Sequence, residues 1–191
     1  MIRLPEDGIL YHGSYLEVSR IDLSKCRAGL DFGKGFYLTS SLKQAVSYIP
    51  ASVRKAQRRG WIPESFSTSD GRVSVFRFEP NPNLFIHIFD EADEEWLHFT
   101  ACNRNPSLFP ELYRKYQSVD TIGGKVADDI TALTLNNYVS GTYGEPGTIR
   151  ADRTAIDLLE VENLKDQFCF RTVEAVKALR FIRSDRYDSI R

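Results

Sequence analysis

Three groups of residues stand out for the chemistry that their types and spacing allow. His12, Gly13 and Ser14 are consecutive; a glycine between an imidazole and a hydroxyl can offer its N–H and C=O to a carboxamide while the ring reaches a ribose hydroxyl. Tyr37 closes the stretch Phe32-Gly33-Lys34-Gly35-Phe36-Tyr37, and Tyr48 follows it by eleven residues. Gln167 heads a late apolar run, Gln167-Phe168-Cys169-Phe170. Taken singly these signals are weak, because glycine is the usual turn residue and histidine is often half buried in a structural corner.

The elements that must position these groups can be read from periodicity and punctuation. Ile9-Leu10-Tyr11 has the look of a first strand, ending in a turn at His12-Gly13-Ser14. Residues 31–39 read as a glycine-flexed loop running into a short strand. Ser40 or Ser41 then caps a helix that carries Leu42, Ala45, Val46 and Ile49 on one face. Pro50 kinks that helix or ends it before a basic segment reaching about Arg59. Residues 72–88 divide into two strands around a Pro-Asn-Pro-Asn turn. Helices are expected near 90–103, 108–116 and 127–139, with a strand at 119–122 between the last two. A turn-rich loop at 141–147, a short helix at 154–159, a strand at 167–170 and a helix at 172–179 complete the reading. Strands and helices mix without strict alternation, which predicts an α+β domain, not a doubly wound parallel sheet.

With 191 residues, 42% hydrophobic and 27% charged, the chain fits a single domain spanning 1–191, large enough for a core and a cleft. Twenty-five basic against 26 acidic residues argue against a polyanion partner, and the run Arg54, Lys55, Arg58, Arg59 reads as a solvated helix face. Cys26, Cys102 and Cys169 have neither CxxC spacing nor even number, and His87 and His98 lack ligand spacing; no disulfide frame and no metal are expected. The two histidines, with Trp96, Leu97 and Phe99, are read as structural, and Asn103 and Arg104 as fixing a helix end. Neither a signal peptide nor a run of about 20 apolar residues is found, so a soluble, cytoplasmic chain without a membrane partner is expected. Residues 29–35, Gly-Leu-Asp-Phe-Gly-Lys-Gly, are one residue short of a P-loop and lack its Ser or Thr, and no Gly-x-Gly-x-x-Gly opens a strand–helix unit.

Phe32-Gly33-Lys34-Gly35-Phe36-Tyr37 with Tyr48 closely resembles a segment of the poly(ADP-ribose) polymerase family, and His12-Gly13-Ser14 resembles that family's His-Gly-Ser element. The likeness covers residues 9–48 and is faint through the middle of the chain. Leu10-Tyr11-His12-Gly13-Ser14, Asp31 to Thr39, the late Gln167 to Thr172 and the stretch Asp120 to Asp129 are also similar to a bacterial family of unknown function (DUF3990) assigned to the same fold. The resemblance implies an ADP-ribosyltransferase-like fold with a split antiparallel or mixed sheet flanked by helices, and NAD as the substrate. By it, His12 bonds the adenosine ribose, Gly13 holds the nicotinamide carboxamide and Ser14 adds a ribose contact. Tyr37 and Tyr48 would clamp the ring; eleven residues, about three helical turns, let the second phenol return over a neighbouring strand.

Two departures from the family pattern change what the resemblance implies. Ala45 stands where the family places a serine that bonds the carboxamide, so one ligand contact is lost. Gln167 stands where a glutamate is usual: it can bond a ribose hydroxyl but brings no negative charge to an oxocarbenium-like state, which argues against chain elongation. Glu160, Glu162 and Glu174 fall on neighbouring segments, and Asp128 or Asp129 is a candidate substitute, although negative charge in a first helical turn is also favoured by the macrodipole. The expected function is transfer of one ADP-ribose to an unknown acceptor, with residues 61–71 and 141–147 as candidate acceptor loops. NAD hydrolysis by a toxin with a toxin–antitoxin or effector partner, and a binding module without turnover, are the alternatives.

Overall fold

In the unit that carries the first motif, strand β1 (Ile9–Ser14) runs antiparallel to the central strand β3 (Arg72–Phe78), with Ile9 opposite Arg77 and Ser14 opposite Arg72. The computed structural model describes residues 2–126, 129–159 and 165–190. It is α+β, and its contacts gather residues 4–22, 37–81 and 176 onward into one compact unit and 23–36 with 82–175 into another. In the first unit β3 also pairs antiparallel with β7 (Leu179–Arg186), the register slipping between Val75 and Phe76. Helix α1 (Leu42–Arg58) lies on this sheet, burying Ala45, Ile49 and Val53 against Val73 and Val75. The spacing of those helix residues is the 3.6-residue period, so one stripe reaches the sheet. Ser41 begins α1, its hydroxyl accepting from Gln44 N–H at 3.2 Å. Pro50 neither stops nor divides the helix, because Ile49 and Val53, on either side of it, are held in the same core.

The second unit is built on β4 (Ile86–Ile88), β5 (Thr121–Val126) and β6 (Lys165–Phe170), β5 running parallel to β4 and antiparallel to β6. Around them lie α2 (Glu94–Arg104), α3 (Pro110–Lys115), α4 (Asp129–Val139), α5 (Ile149–Leu158) and α6 (Val173–Lys177). Trp96, Leu97 and Phe99 of α2 are buried, as the sequence indicated; Phe99 stacks on Phe32 and Phe89 at 6.4 and 5.3 Å, and Trp96 Nε1 donates to Lys125 O at 2.9 Å. Strand β2 (Phe36–Leu38) follows the glycine loop where a short strand was anticipated.

Three local readings are corrected. His12-Gly13-Ser14 is not a turn: all three continue β1 along β3. The two strands expected in residues 72–88 are present as β3 and β4, each in a different sheet. Helix α5 begins at Ile149, five residues earlier than expected, because Thr148 caps it by accepting from Ala151 N–H. The chain also holds a last strand, β7, that the hydrophobic pattern does not announce. Among the described residues no helix is long and apolar enough to cross a membrane.

Candidate functional site

Alternation along β1 decides what each residue of the His-Gly-Ser element can present. Tyr11 exchanges both backbone hydrogen bonds with Thr39, at 2.8 and 3.0 Å, while Phe78 N–H donates to Gly8 O at 2.7 Å. Even-numbered residues of β1 therefore bond to β3, and odd-numbered ones turn their amide groups to the opposite edge. Gly13 is on that edge, two residues beyond the Tyr11–Thr39 bridge, and the β1–β3 ladder takes up neither its N–H nor its C=O. This is the pair of groups that a carboxamide needs.

Gly13 is also where β1 meets α1. A Cβ on it would overlap Ala45 O and stand 2.7 Å from Ala45 C, so the strand and helix backbones touch and only glycine fits. Ala45 is thus beside Gly13, and Tyr48 is one helical turn further along α1. Tyr48 is 46% exposed; Lys55, two turns on, donates from Nζ to its hydroxyl at 3.3 Å and lies 5.1 Å from its ring centroid.

His12 is tied to the next element. Its Nδ1 is 2.8 Å from Tyr37 O, and because a carbonyl can only accept, Nδ1 carries the proton and Nε2 the lone pair. Burial lowers the His12 pKa and this hydrogen bond only partly opposes the shift, so the ring is neutral at neutral pH. Tyr37 itself is half-buried in β2. Ser14 is buried, its hydroxyl 3.5 Å from Leu16 N. His12, Gly13, Tyr37 and Ala45 are therefore joined by direct contacts, with Tyr48 on the same helix.

The glycine loop and Gln167 belong to the other compact unit. Phe32 is fully buried; Gly33 has φ +79°, and a Cβ there would be 2.7 Å from Asn103 Oδ1. Arg104 grips Asp31 Oδ1 through Nε at 3.0 Å and Nη2 at 2.5 Å, and Asn103 donates to Asp31 O at 3.1 Å. Asn103 and Arg104 thus fix this loop as well as ending α2. Gln167 is half-buried on β6 opposite Gly124 and shares a strand face with Cys169. Glu174 is in the first turn of α6. Asp128, Glu160 and Glu162 lie outside the described residues, as does the side chain of Asp129.

A family model described as a protein of unknown function, DUF3990, matches residues 9–181, from the first residue of β1 into β7. The chain belongs to the DUF3990 family. No curated protein and no solved structure matches it.

Several groups of the DUF3990 chain escape a sequence reading. Thr39 sets the polarity of β1 through a backbone bridge, which leaves no trace in residue type. The Tyr48–Lys55 pair was in principle visible, since a seven-residue spacing returns to the same helix face. His98 is held by specific partners: Nε2 meets Asp152 Oδ2 at 2.8 Å and the ring stacks on Phe109 at 4.0 Å. Asp152 Oδ1 accepts from Tyr138 Oη at 2.5 Å and from Gly147 N–H at 3.1 Å, which ties the 141–147 loop to three helices. Burial pushes the Cys102 thiol up to about 11, which makes it a poor nucleophile. Among the described residues no group of three or more His, Cys, Asp or Glu could hold a metal ion.

Proposed function

We propose that this DUF3990 protein transfers one ADP-ribose from NAD to an acceptor and releases nicotinamide. The observation that carries the reading is the Gly13 corner: an N–H and a C=O turned off the β1–β3 ladder, against Ala45 and one turn from Tyr48. A flat carboxamide-bearing ring suits that combination of a donor–acceptor pair and an exposed phenol. The neutral imidazole of His12, its Nδ1 proton committed to Tyr37 O, suits a ribose hydroxyl as an acceptor through Nε2.

In the reaction the bond between nicotinamide and ribose C1′ breaks, the electron pair leaving with nicotinamide as the ribose takes on oxocarbenium character. An acceptor nucleophile forms the new bond to C1′ and releases its proton to solvent. Catalysis by this chain is mainly positional, through a held ring and an aligned nucleophile. Gln167 favours a second reading, since a neutral amide brings no charge to the oxocarbenium-like state: a module that binds NAD without turnover. Incubation with NAD labelled in the adenylate, with and without a cell lysate, tests both. Label on a macromolecule together with free nicotinamide is the expected result. Free ADP-ribose without modified material selects hydrolysis, and binding by calorimetry without nicotinamide release selects the module.

A further inference from the structure

The glycine loop does more than anchor its own unit, because it forces the one side chain between its glycines outward. Gly33 is pressed on Asn103, and a Cβ on Gly35 would collide with Cys169 Sγ and lie 2.7 Å from Phe170 O. With both glycines pinned, Lys34 is exposed. The contact of Gly35 with Phe170 has a second result: Lys34, one residue before the glycine, and Arg171, one residue after the phenylalanine, line one cavity. That cavity has a volume of about 340 Å³ and is completed by Leu23, Ser24, Gln117 and Thr172.

Arg171 is set in place before any ligand arrives. Its Nη1 donates to Tyr116 O at 2.6 Å and reaches Val119 O at 3.5 Å, and its own N–H donates to Asp120 O at 2.8 Å. The Asp120 carboxylate accepts from Thr172 Oγ1 at 2.5 Å and from Phe85 N–H at 2.9 Å. Among the described residues no carboxylate lines the cavity, while two cations do. A planar guanidinium held still beside a flexible ammonium, with the Gln117 amide at hand, matches the charge and oxygen geometry of a phosphoryl group.

We propose that this cavity is a binding site for a small phosphorylated molecule, held at its phosphoryl group by Lys34 and Arg171. It uses backbone pinning to present a lysine, without the helix-borne amide cradle of a P-loop. The volume is at the small end of ligand pockets, which fits a diphosphate with little organic bulk. Of the residues in the NAD reading, His12, Gly13, Tyr37 and Tyr48 are in the other compact unit, while Gln167 is on β6 in this one, and the cavity's own lining includes none of them.

Calorimetric titration of the whole protein with inorganic pyrophosphate, against sodium chloride of equal ionic strength, tests it. ADP in a parallel titration distinguishes a free diphosphate from a nucleotide as the better ligand. Binding should weaken at least about tenfold in Lys34→Glu, a loss of one charge-assisted contact with repulsion added. Gln117→Glu, also exposed, should weaken it in the same direction and guards against a folding defect in the first variant. No heat from pyrophosphate or ADP at about 10 mM, or affinity unchanged in both variants, would overturn the proposal. Loss of pyrophosphate binding in Gln117→Glu with nicotinamide release from NAD intact separates this site from the one around Gly13.

Discussion

At the scale of single residues, Gly13 and the half-buried imidazoles of His12 and His87 set the balance of packing and charge. A methyl on Gly13 would enter the Ala45 carbonyl, backbone against backbone, so neither side can relieve it by a rotamer change. Gly13→Ala should cost about 3 kcal/mol of stability, the upper end of overpacking penalties, read as a lower urea midpoint at unchanged slope. A loss under about 0.5 kcal/mol would mean that β1 and α1 are not in backbone contact. His12 and His87 both have pKa values lowered below 6.5, chiefly by burial; for His87 the Glu95 and Asp90 carboxylates oppose the shift and Lys115 adds to it. Below about pH 6.5 the unfolded chain therefore binds protons that the folded one refuses, and stability falls with falling pH through the folded values, while above about pH 7.5 the two states bind alike. His87 packs edge-on against Phe89 at 4.5 Å and lies 4.6 Å from Tyr116, its Nε2 buried without a hydrogen-bond partner among the described residues. His87→Phe should thus raise stability by about 1 kcal/mol at pH 7 and flatten the acid limb of a melting-temperature profile. A profile of unchanged slope would remove His87 from that account.

At the scale of elements, α1 is where sequence and structure agree best, and where the proposed function can be tested without unfolding the protein. Ala45 and Ile49 of its expected face and its Ser41 cap were legible because helix period and capping are local signals, whereas Leu42 is exposed and the stripe runs on past Pro50 to Val53. The end of β1 was not: Gly13 and Ser14 are turn residues by composition, and only the pairing with Val73 and Arg72 makes them strand. Strand β7 hid for another reason, since Leu-Arg-Phe-Ile-Arg-Ser-Asp-Arg is an edge strand in which only Leu179 is buried, with no apolar alternation. For the candidate site, the motif residues could be named from spacing, but the edge to which Gly13 turns its amide depends on Thr39, and no spacing reveals that. Tyr48 is half-exposed and its removal leaves the buried stripe of α1 untouched. Tyr48→Ala should therefore weaken NAD binding about tenfold, the worth of one stacked ring, with little change in melting temperature. Ala45→Ser, which puts a hydroxyl beside Gly13, should tighten binding several-fold at a stability cost of about 1 kcal/mol for the buried polar group. Calorimetry on both variants checks the pair, and equal NAD affinity in both would leave the Gly13 corner without a ligand.

At the scale of the whole molecule, neither compact unit is a continuous stretch of chain, so each depends on contacts between segments far apart in sequence. In the unit built from 23–36 and 82–175 the tie is the pair Asp31–Arg104, separated by 73 residues. Its side chains are only 7% and 15% exposed. Arg104 also donates from Nη1 to Asn136 Oδ1 at 2.7 Å, so one guanidinium joins the glycine loop, α2 and α4. Such a pair contributes little net stability when both charges are replaced together, but much is lost when one partner is left behind in a buried setting. Arg104→Met strands the Asp31 carboxylate and should destabilise by about 3–5 kcal/mol, enough to unfold a domain of ordinary stability at 37 °C. Asp31→Asn in the Arg104→Met background removes the stranded charge and should recover much of that loss. The double-mutant cycle by urea denaturation would then give a coupling above about 1 kcal/mol, and additive losses would mean that the glycine loop is held by Phe32 and Asn103 instead. Because the pair fixes the loop that presents Lys34, the single variant should also weaken pyrophosphate binding, while the double variant regains it in step with folding.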